Sequence, residues 1–166
     1  MRILAVVVLL SLLVVGGCVA PVASTTDSAS AMPEPVAGQV TVENARARAM
    51  PMAGGTGTAF MLILNGTDAP VRFTAAASDI AEAVELHETV DDNGVMRMIP
   101  QPDGFEIPAG GSVELAPGGK HVMFIGVNAP LEAGATFTLT LNFEGADPIV
   151  LAVPVVAMDG MPAMEH

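Results

Sequence analysis

The sequence lacks Trp and Tyr, contains a single Cys, and has only six positively charged residues among 166. Those six Lys and Arg face 18 Asp and Glu, which leaves a formal net charge of −12. Because nucleic-acid binding depends on clustered cations, we expect no nucleic-acid partner. Aromatic residues make up 4% of the chain but hydrophobic residues make up 51%, so we expect a folded domain with a mainly aliphatic core.

The N-terminal segment has the composition of a lipoprotein signal peptide. Arg2 supplies one positive charge, and the thirteen residues from Ile3 to Val15 are almost entirely apolar, fewer than the roughly 20 that span a bilayer as a helix. The letters VGGC, which end at Cys18, resemble the bacterial lipobox, whose cysteine is lipidated and becomes the new N-terminus. We therefore predict a signal peptide over 1–17 and a membrane-anchored lipoprotein outside the cytoplasm, in the periplasm or at the cell surface. A plain secretory signal is the alternative.

The rest of the chain divides by composition into three segments. A lipidated Cys and flexible linker, rich in Ser, Thr, Ala and Pro, is predicted over 18–38, a β domain over 39–158 and a tail containing Met and His over 159–166. Nine strands are predicted within the domain: Gln39–Ala47, Thr56–Asn65, Pro70–Ala76, Glu82–Thr89, Val95–Ile99, Ser112–Leu115, Lys120–Val127, Ala135–Phe143 and Ile149–Val156. Many short alternating strands separated by turn residues favour an all-β Greek-key sandwich or barrel.

Two of the three histidines lie in predicted strands, where alternation predicts which face each side chain occupies. His87 shares a face with Glu85, opposite Val84 and Leu86. His121 shares a face with Met123, about 7 Å away along the strand. Between them, Met96 and Met98 share a face of a third strand. A single strand Met usually fills a core and a single His is usually a hydrogen-bonded surface residue, so only the combination indicates a site.

The donor types in this combination select the metal ion. Thioether sulfur is a soft, neutral donor that suits Cu(I), whereas zinc sites favour His with thiolate or carboxylate, and calcium and magnesium require clustered oxygens. Blue-copper electron transfer needs a Cys ligand, and the single Cys is predicted to carry lipid. The residues therefore favour a protein that carries Cu(I) rather than one that cycles its oxidation state. A carrier must release its ion, so we expect ligands that are exposed at strand ends and loops.

The segments VELHE, NGVMRM and EIPAGGSVELAPGGKHVM resemble the periplasmic copper chaperones of the PCuAC family, over about Gln39 to Val156. The family pattern is a His, a Met about ten residues later, and a His-x-Met about twenty residues after that. The pattern falls here on His87, Met98, His121 and Met123, with ten and twenty-two intervening residues. Thr89 stands where some members have a further Met, and Met96 is the auxiliary thioether that could substitute for it.

The resemblance implies a cupredoxin-like fold and a Cu(I) chaperone that is not an enzyme. It also implies delivery to a copper-receiving protein, such as the subunit of cytochrome c oxidase that holds the copper A centre or another copper chaperone, or a wider role in envelope copper homeostasis. Tail extensions in some members imply a second, weaker metal site at the C-terminal end, which could also take Cu(II), with the candidate ligands Met158, Met161, Met164 and His166. A disordered end with chance Met content is the alternative for the tail. An immunoglobulin-like envelope scaffold or adhesion module without metal is the alternative for the whole protein.

Overall fold

The computed structural model describes residues 33–157, which form ten β-strands and no helix. The strands are β1 (Val40–Arg48), β2 (Gly57–Asn65), β3 (Val71–Ala77), β4 (Ala81–Asp92), β5 (Val95–Pro100), β6 (Phe105–Ile107), β7 (Ser112–Leu115), β8 (Lys120–Val127), β9 (Thr136–Glu144) and β10 (Ile149–Val156). The all-β prediction is confirmed. The predicted signal peptide, Cys18 and the tail, together with Met158, lie outside the described residues.

No helix among residues 33–157 is long and apolar enough to cross a membrane.

The strands pair along the path β5-β4-β8-β2-β1-β10-β9-β3-β6, with β7 beside β8 on the same edge of β2. All pairings are antiparallel except that between β1 and β10, which joins only Ala47 to Val155 and Arg48 to Val156. The chain passes repeatedly between the two halves of this path, as β2, β3 and β4 illustrate. Such crossing connections are those of a Greek key.

The two halves face each other across a single apolar core. Phe124 of β8 meets Phe137 of β9 edge to face, with 5.4 Å between the ring centroids. Strand alternation builds this core, because Phe137, Leu139 and Leu141 are buried while the intervening Thr residues are not. Burying each such side chain contributes about 1.5–3 kcal/mol.

A two-residue turn connects β4 to β5. Asn93 and Gly94 have φ values of 56° and 84°, the left-handed conformations of a type I′ hairpin turn. Strand pairing resumes immediately, with Asp92 opposite Val95, and continues to His87 opposite Pro100. The turn therefore sets which β5 residue lies opposite each β4 residue.

All nine predicted strands are present, within a few residues at their ends. β4 extends to Asp92 instead of ending at Thr89, because the short turn lets pairing continue to its last residue. β6 is not among the predicted strands; its three residues pair with β3. Gly38, the last residue of the predicted linker, already bonds to the domain: its N donates to Gly66 O at 2.6 Å, and next to it Gln39 O accepts from Gly66 N at 2.8 Å.

Candidate metal centre

The two histidines of the domain lie directly opposite each other on neighbouring antiparallel strands. The register of β4 and β8 pairs His87 with His121, and their ring centroids are 5.9 Å apart. Both rings are on the sheet face that points away from the core, because the adjacent Leu86 and Val122 belong to the core. Even so, His87 is only 6% exposed and His121 only 2%. The expectation of exposed ligands is therefore wrong for the histidines, which lie within paired strands.

Each of the two histidines has one ring nitrogen in a hydrogen bond and one buried nitrogen without a partner among residues 33–157. His87 Nε2 lies 2.8 Å from Glu85 Oε2, and His121 Nδ1 lies 3.0 Å from the carbonyl oxygen of Gly119. The nitrogens left without a partner are His87 Nδ1 and His121 Nε2. An unpaired buried polar atom costs about 1–3 kcal/mol, so these two atoms call for an explanation.

Asn65 is a buried polar side chain whose polar atoms all have hydrogen-bond partners. It is 0% exposed, and its Nδ2 donates to the carbonyl oxygens of Ala69, Ile107 and Pro108. Its Oδ1 accepts from both the amide and the hydroxyl of Thr67. Asn65 thus has a partner for each polar atom, whereas each buried histidine leaves one nitrogen unbonded.

Met123 and Met98 lie on the same face as the histidine pair, one on each side of it. Met123 is directly opposite Glu85, and Met98 is directly opposite Thr89. Each is therefore a diagonal neighbour of His87, at about 7–8 Å, a distance that long side chains can bridge. Met98 is 58% exposed on the edge strand, while Met123 is partly buried.

Met96 lies on this face too, but farther from the histidines. It pairs with Asp91, two residues beyond Thr89 along β4, and is 60% exposed. The register therefore places Met98, not Met96, beside His87. The auxiliary residues Met158, Met161, Met164 and His166 lie outside the described residues.

The surroundings hold the histidine pair in place. The Phe60 ring packs against His121 with 6.4 Å between centroids. Gly119 O accepts a second hydrogen bond, from Thr89 N at 3.0 Å, so it ties β4 to the segment before His121. Neither Glu85 nor Gly119 was predicted to have a role, although strand alternation places Glu85 on the face of His87.

Among residues 33–157, no three or more His, Cys, Asp or Glu side chains are gathered in a way that could hold a metal ion. The soft donors on the face of the two histidines are thioethers, at Met98 and Met123 beside the pair and at Met96 farther along β5.

The family model described as "Putative lipoprotein LpqE-like" matches residues 40–155. "Putative lipoprotein Lxx21020" of Leifsonia xyli subsp. xyli (strain CTCB07) is 41% identical over 110 residues, which cover 65% of this chain and 66% of the relative. "Uncharacterized protein RP573" of Rickettsia prowazekii (strain Madrid E) is 26% identical over 96 residues, 58% of this chain and 53% of the relative. The chain thus spans less than two thirds of the length of either curated relative.

Solved structures share the fold. The copper-bound PCuAC domain from PmoF2 has a TM-score of 0.61 and 25% identity, over 76% of this chain and 99% of that one. The solution structure of apo-DR1885 from Deinococcus radiodurans has a TM-score of 0.56 and 27% identity, over 92% and 98% of the two chains. The CuI-DR1885 structure has a TM-score of 0.51 and 26% identity, over 81% and 85%. The cupredoxin-like prediction is confirmed, and the chain belongs to the LpqE-like lipoprotein family, with a β domain of the PCuAC type.

Proposed function

We propose that this protein is an extracytoplasmic Cu(I)-binding chaperone, anchored through lipid on Cys18, which holds copper with His87, Met98, His121 and Met123. The observation that carries the proposal is the pair of buried, unpartnered nitrogens on two directly opposed histidines. A neutral imidazole keeps a lone pair on the nitrogen that bears no proton. A metal ion between the two rings would give both nitrogens the partner that the protein does not supply.

The thioethers favour copper over other metals. Met98 and Met123 flank His87 on its own face, so a metal bound there has soft sulfur as well as nitrogen within reach. Two imidazoles and two thioethers are neutral donors that suit Cu(I). The solved relative described as copper-bound supports copper, and the one described as CuI-DR1885 supports Cu(I).

Differences in burial among the four ligands support a route for release. Met98 is the exposed donor on an edge strand whose six residues are all exposed, whereas both histidines are buried. An incoming ligand from a receiving protein would therefore replace the Met98 thioether first. The receiver, whether the copper A subunit of cytochrome c oxidase, another copper chaperone or a wider envelope pathway, follows from the family resemblance. A weaker Cu(II) site in the tail is part of the same proposal.

The direct test changes both histidines to Ala and measures Cu(I) affinity by competition with a chromophoric chelator. The wild type should bind one Cu(I) tightly, and the double variant should lose at least about a hundredfold in affinity, because each lost ligand is worth more than the 1.4 kcal/mol of a tenfold change. Met52→Leu is the control, since Met52 is a 72% exposed thioether outside the proposed site. Circular dichroism spectra of the double variant and the wild type would show whether the variant is folded.

Unchanged affinity in a folded double variant would contradict the copper proposal. An immunoglobulin-like envelope scaffold without metal would then be the better account, and protein purified in the presence of copper would contain none.

A further inference from the structure

We propose that Glu85 is a positioning residue for copper, which orients the His87 ring so that Nδ1 faces the metal. The inference rests on the copper-binding function proposed above and adds a residue that is not itself a ligand. Its basis is the 2.8 Å contact between Glu85 Oε2 and His87 Nε2.

Glu85 is well placed to orient His87. Glu85 and His87 are two residues apart on β4, so their side chains share a face. The strand backbone fixes the distance between their Cβ atoms. The Glu85 side chain is 46% exposed while that of His87 is 8% exposed. The carboxylate is therefore hydrated on one side and bonded on the other to a ring that is otherwise enclosed.

The chemistry of the bond determines which ring nitrogen can bind metal. A carboxylate can only accept a hydrogen bond, so His87 must donate from Nε2. The lone pair of the neutral ring is then on Nδ1, which is the buried nitrogen without a partner. A hydrogen bond from a metal-binding histidine to a carboxylate fixes both the tautomer and the ring orientation and makes the ring a better donor.

His121 has the opposite arrangement. The carbonyl oxygen of Gly119 accepts from His121 Nδ1 at 3.0 Å, so the lone pair of this ring is on Nε2. The two rings thus offer different nitrogens, each selected by a different acceptor. The acceptor for His87 is a side chain, whereas the acceptor for His121 is a backbone carbonyl. A substitution can therefore remove the hydrogen bond of His87 but not that of His121.

Glu85 itself is not a ligand in this arrangement. Its carboxylate is bonded at Nε2, whereas the lone pair available to a metal is on Nδ1, the other ring nitrogen, so the metal and the carboxylate occupy different positions. Losing Glu85 therefore leaves all four proposed ligands in the chain and removes only the group that orients one of them.

The first experiment uses the copper-free protein. Two-bond proton–nitrogen NMR correlation spectra report which nitrogen of each histidine carries the proton. In the wild type, His87 should be protonated on Nε2 and His121 on Nδ1. Glu85→Leu should change the His87 signals to a mixture of tautomers and leave those of His121 in place. Glu85→Gln should restore the single His87 tautomer, because the amide oxygen still accepts a hydrogen bond.

The second experiment measures Cu(I) affinity for the same variants. Glu85→Leu should weaken binding by about 10- to 100-fold, the usual effect of removing the partner of a metal-binding histidine. Glu85→Gln should fall between Glu85→Leu and the wild type. Glu82→Leu is the matched control, since Glu82 is an exposed carboxylate three residues earlier on β4, and its affinity should equal that of the wild type.

The two proposals fail in distinguishable ways. Tight copper binding by the wild type, together with an Nδ1-protonated His87 or with full affinity in Glu85→Leu, would overturn the role of Glu85 and leave the copper function intact. A wild type that binds no Cu(I) would overturn both.

Discussion

At the scale of single residues, His87 is the centre of the proposed site. It is directly opposite His121 and is the diagonal neighbour of both Met98 and Met123. Every other proposed ligand is therefore a direct or diagonal cross-strand neighbour of His87. The two thioethers differ in environment: Met123 lies within the sheet, opposite Thr58 on one side and Glu85 on the other, whereas Met98 is on the edge strand. The sulfur that is easiest to replace is therefore that of Met98.

The two exposed methionines of β5 provide a test at this scale. Met98→Leu should lower Cu(I) affinity by about tenfold or more, because a soft donor is lost, while stability changes by less than about 1.5 kcal/mol, because Leu and Met have similar volumes. Met96→Leu makes the same substitution at a site of nearly equal exposure, 60% against 58%, and should leave affinity unchanged. Competition titration measures both variants.

A larger loss of affinity in Met96→Leu than in Met98→Leu would contradict this assignment. It would mean that Met96 is the principal thioether and that the register of the hairpin in solution differs from that described.

At the scale of secondary structure, the hairpin of β4 and β5 is the element on which the site depends most. Within residues 33–157, β5 is an edge strand that pairs with β4 alone, and all six of its residues are exposed. Its position therefore depends on the turn at Asn93 and Gly94, since loop length and turn type fix the register of a hairpin. A shift by one residue would move Met98 to the other face.

Substitution of Gly94 tests the role of the turn. Gly94 has φ 84°, which a β-branched residue adopts only with strain, so Gly94→Val should destabilise the hairpin by about 1–3 kcal/mol and lower Cu(I) affinity. Gly134→Val is the matched control, because Gly134 has φ 90°, also has open space around it, and precedes β9 away from the histidines. Thermal unfolding and copper titration would be measured for both.

The control should lose stability without losing affinity. Equal affinity losses in the two variants would mean that general destabilisation, and not the position of Met98, weakens copper binding.

Local sequence was enough to predict most of these elements, but not how they pair. Alternation correctly placed His87 with Glu85 and His121 with Met123, because side-chain direction in a strand depends only on the residue count. The register that sets His87 opposite His121 joins residues 34 positions apart and could not be obtained from a local pattern. β6 was missed because three residues, Phe105–Ile107, are too few to show a period.

The hydrogen bonds of the histidines also required the structure. The bond from His121 to Gly119 depends on the path of the backbone before β8, which residue types alone do not specify. The bond from His87 to Glu85 could have been anticipated, since both residues were predicted to share a face. The histidines were predicted to be exposed but are buried, because packing between strands, such as that of Phe60 on His121, is not visible in a local pattern.

At the scale of the whole molecule, the core and the candidate site occupy opposite faces of one set of strands. β4 and β8 direct Leu86, Val122 and Phe124 into the core and His87 and His121 to the other face. Ligands can therefore be substituted without opening the core, and the variants proposed above should remain folded. Copper bound by the four ligands would also join β5, β4 and β8, linking an exposed edge strand to the body of the sheet.

The central claim is that two imidazoles and two thioethers gather on one Cu(I) ion. Copper X-ray absorption of the loaded protein measures this directly, because nitrogen and sulfur neighbours scatter differently and can be counted. We expect two nitrogen and two sulfur ligands in the wild type, one sulfur in Met98→Leu, and no change in Met96→Leu. A wild-type spectrum without sulfur, or one that is unaltered in Met98→Leu, would contradict the account.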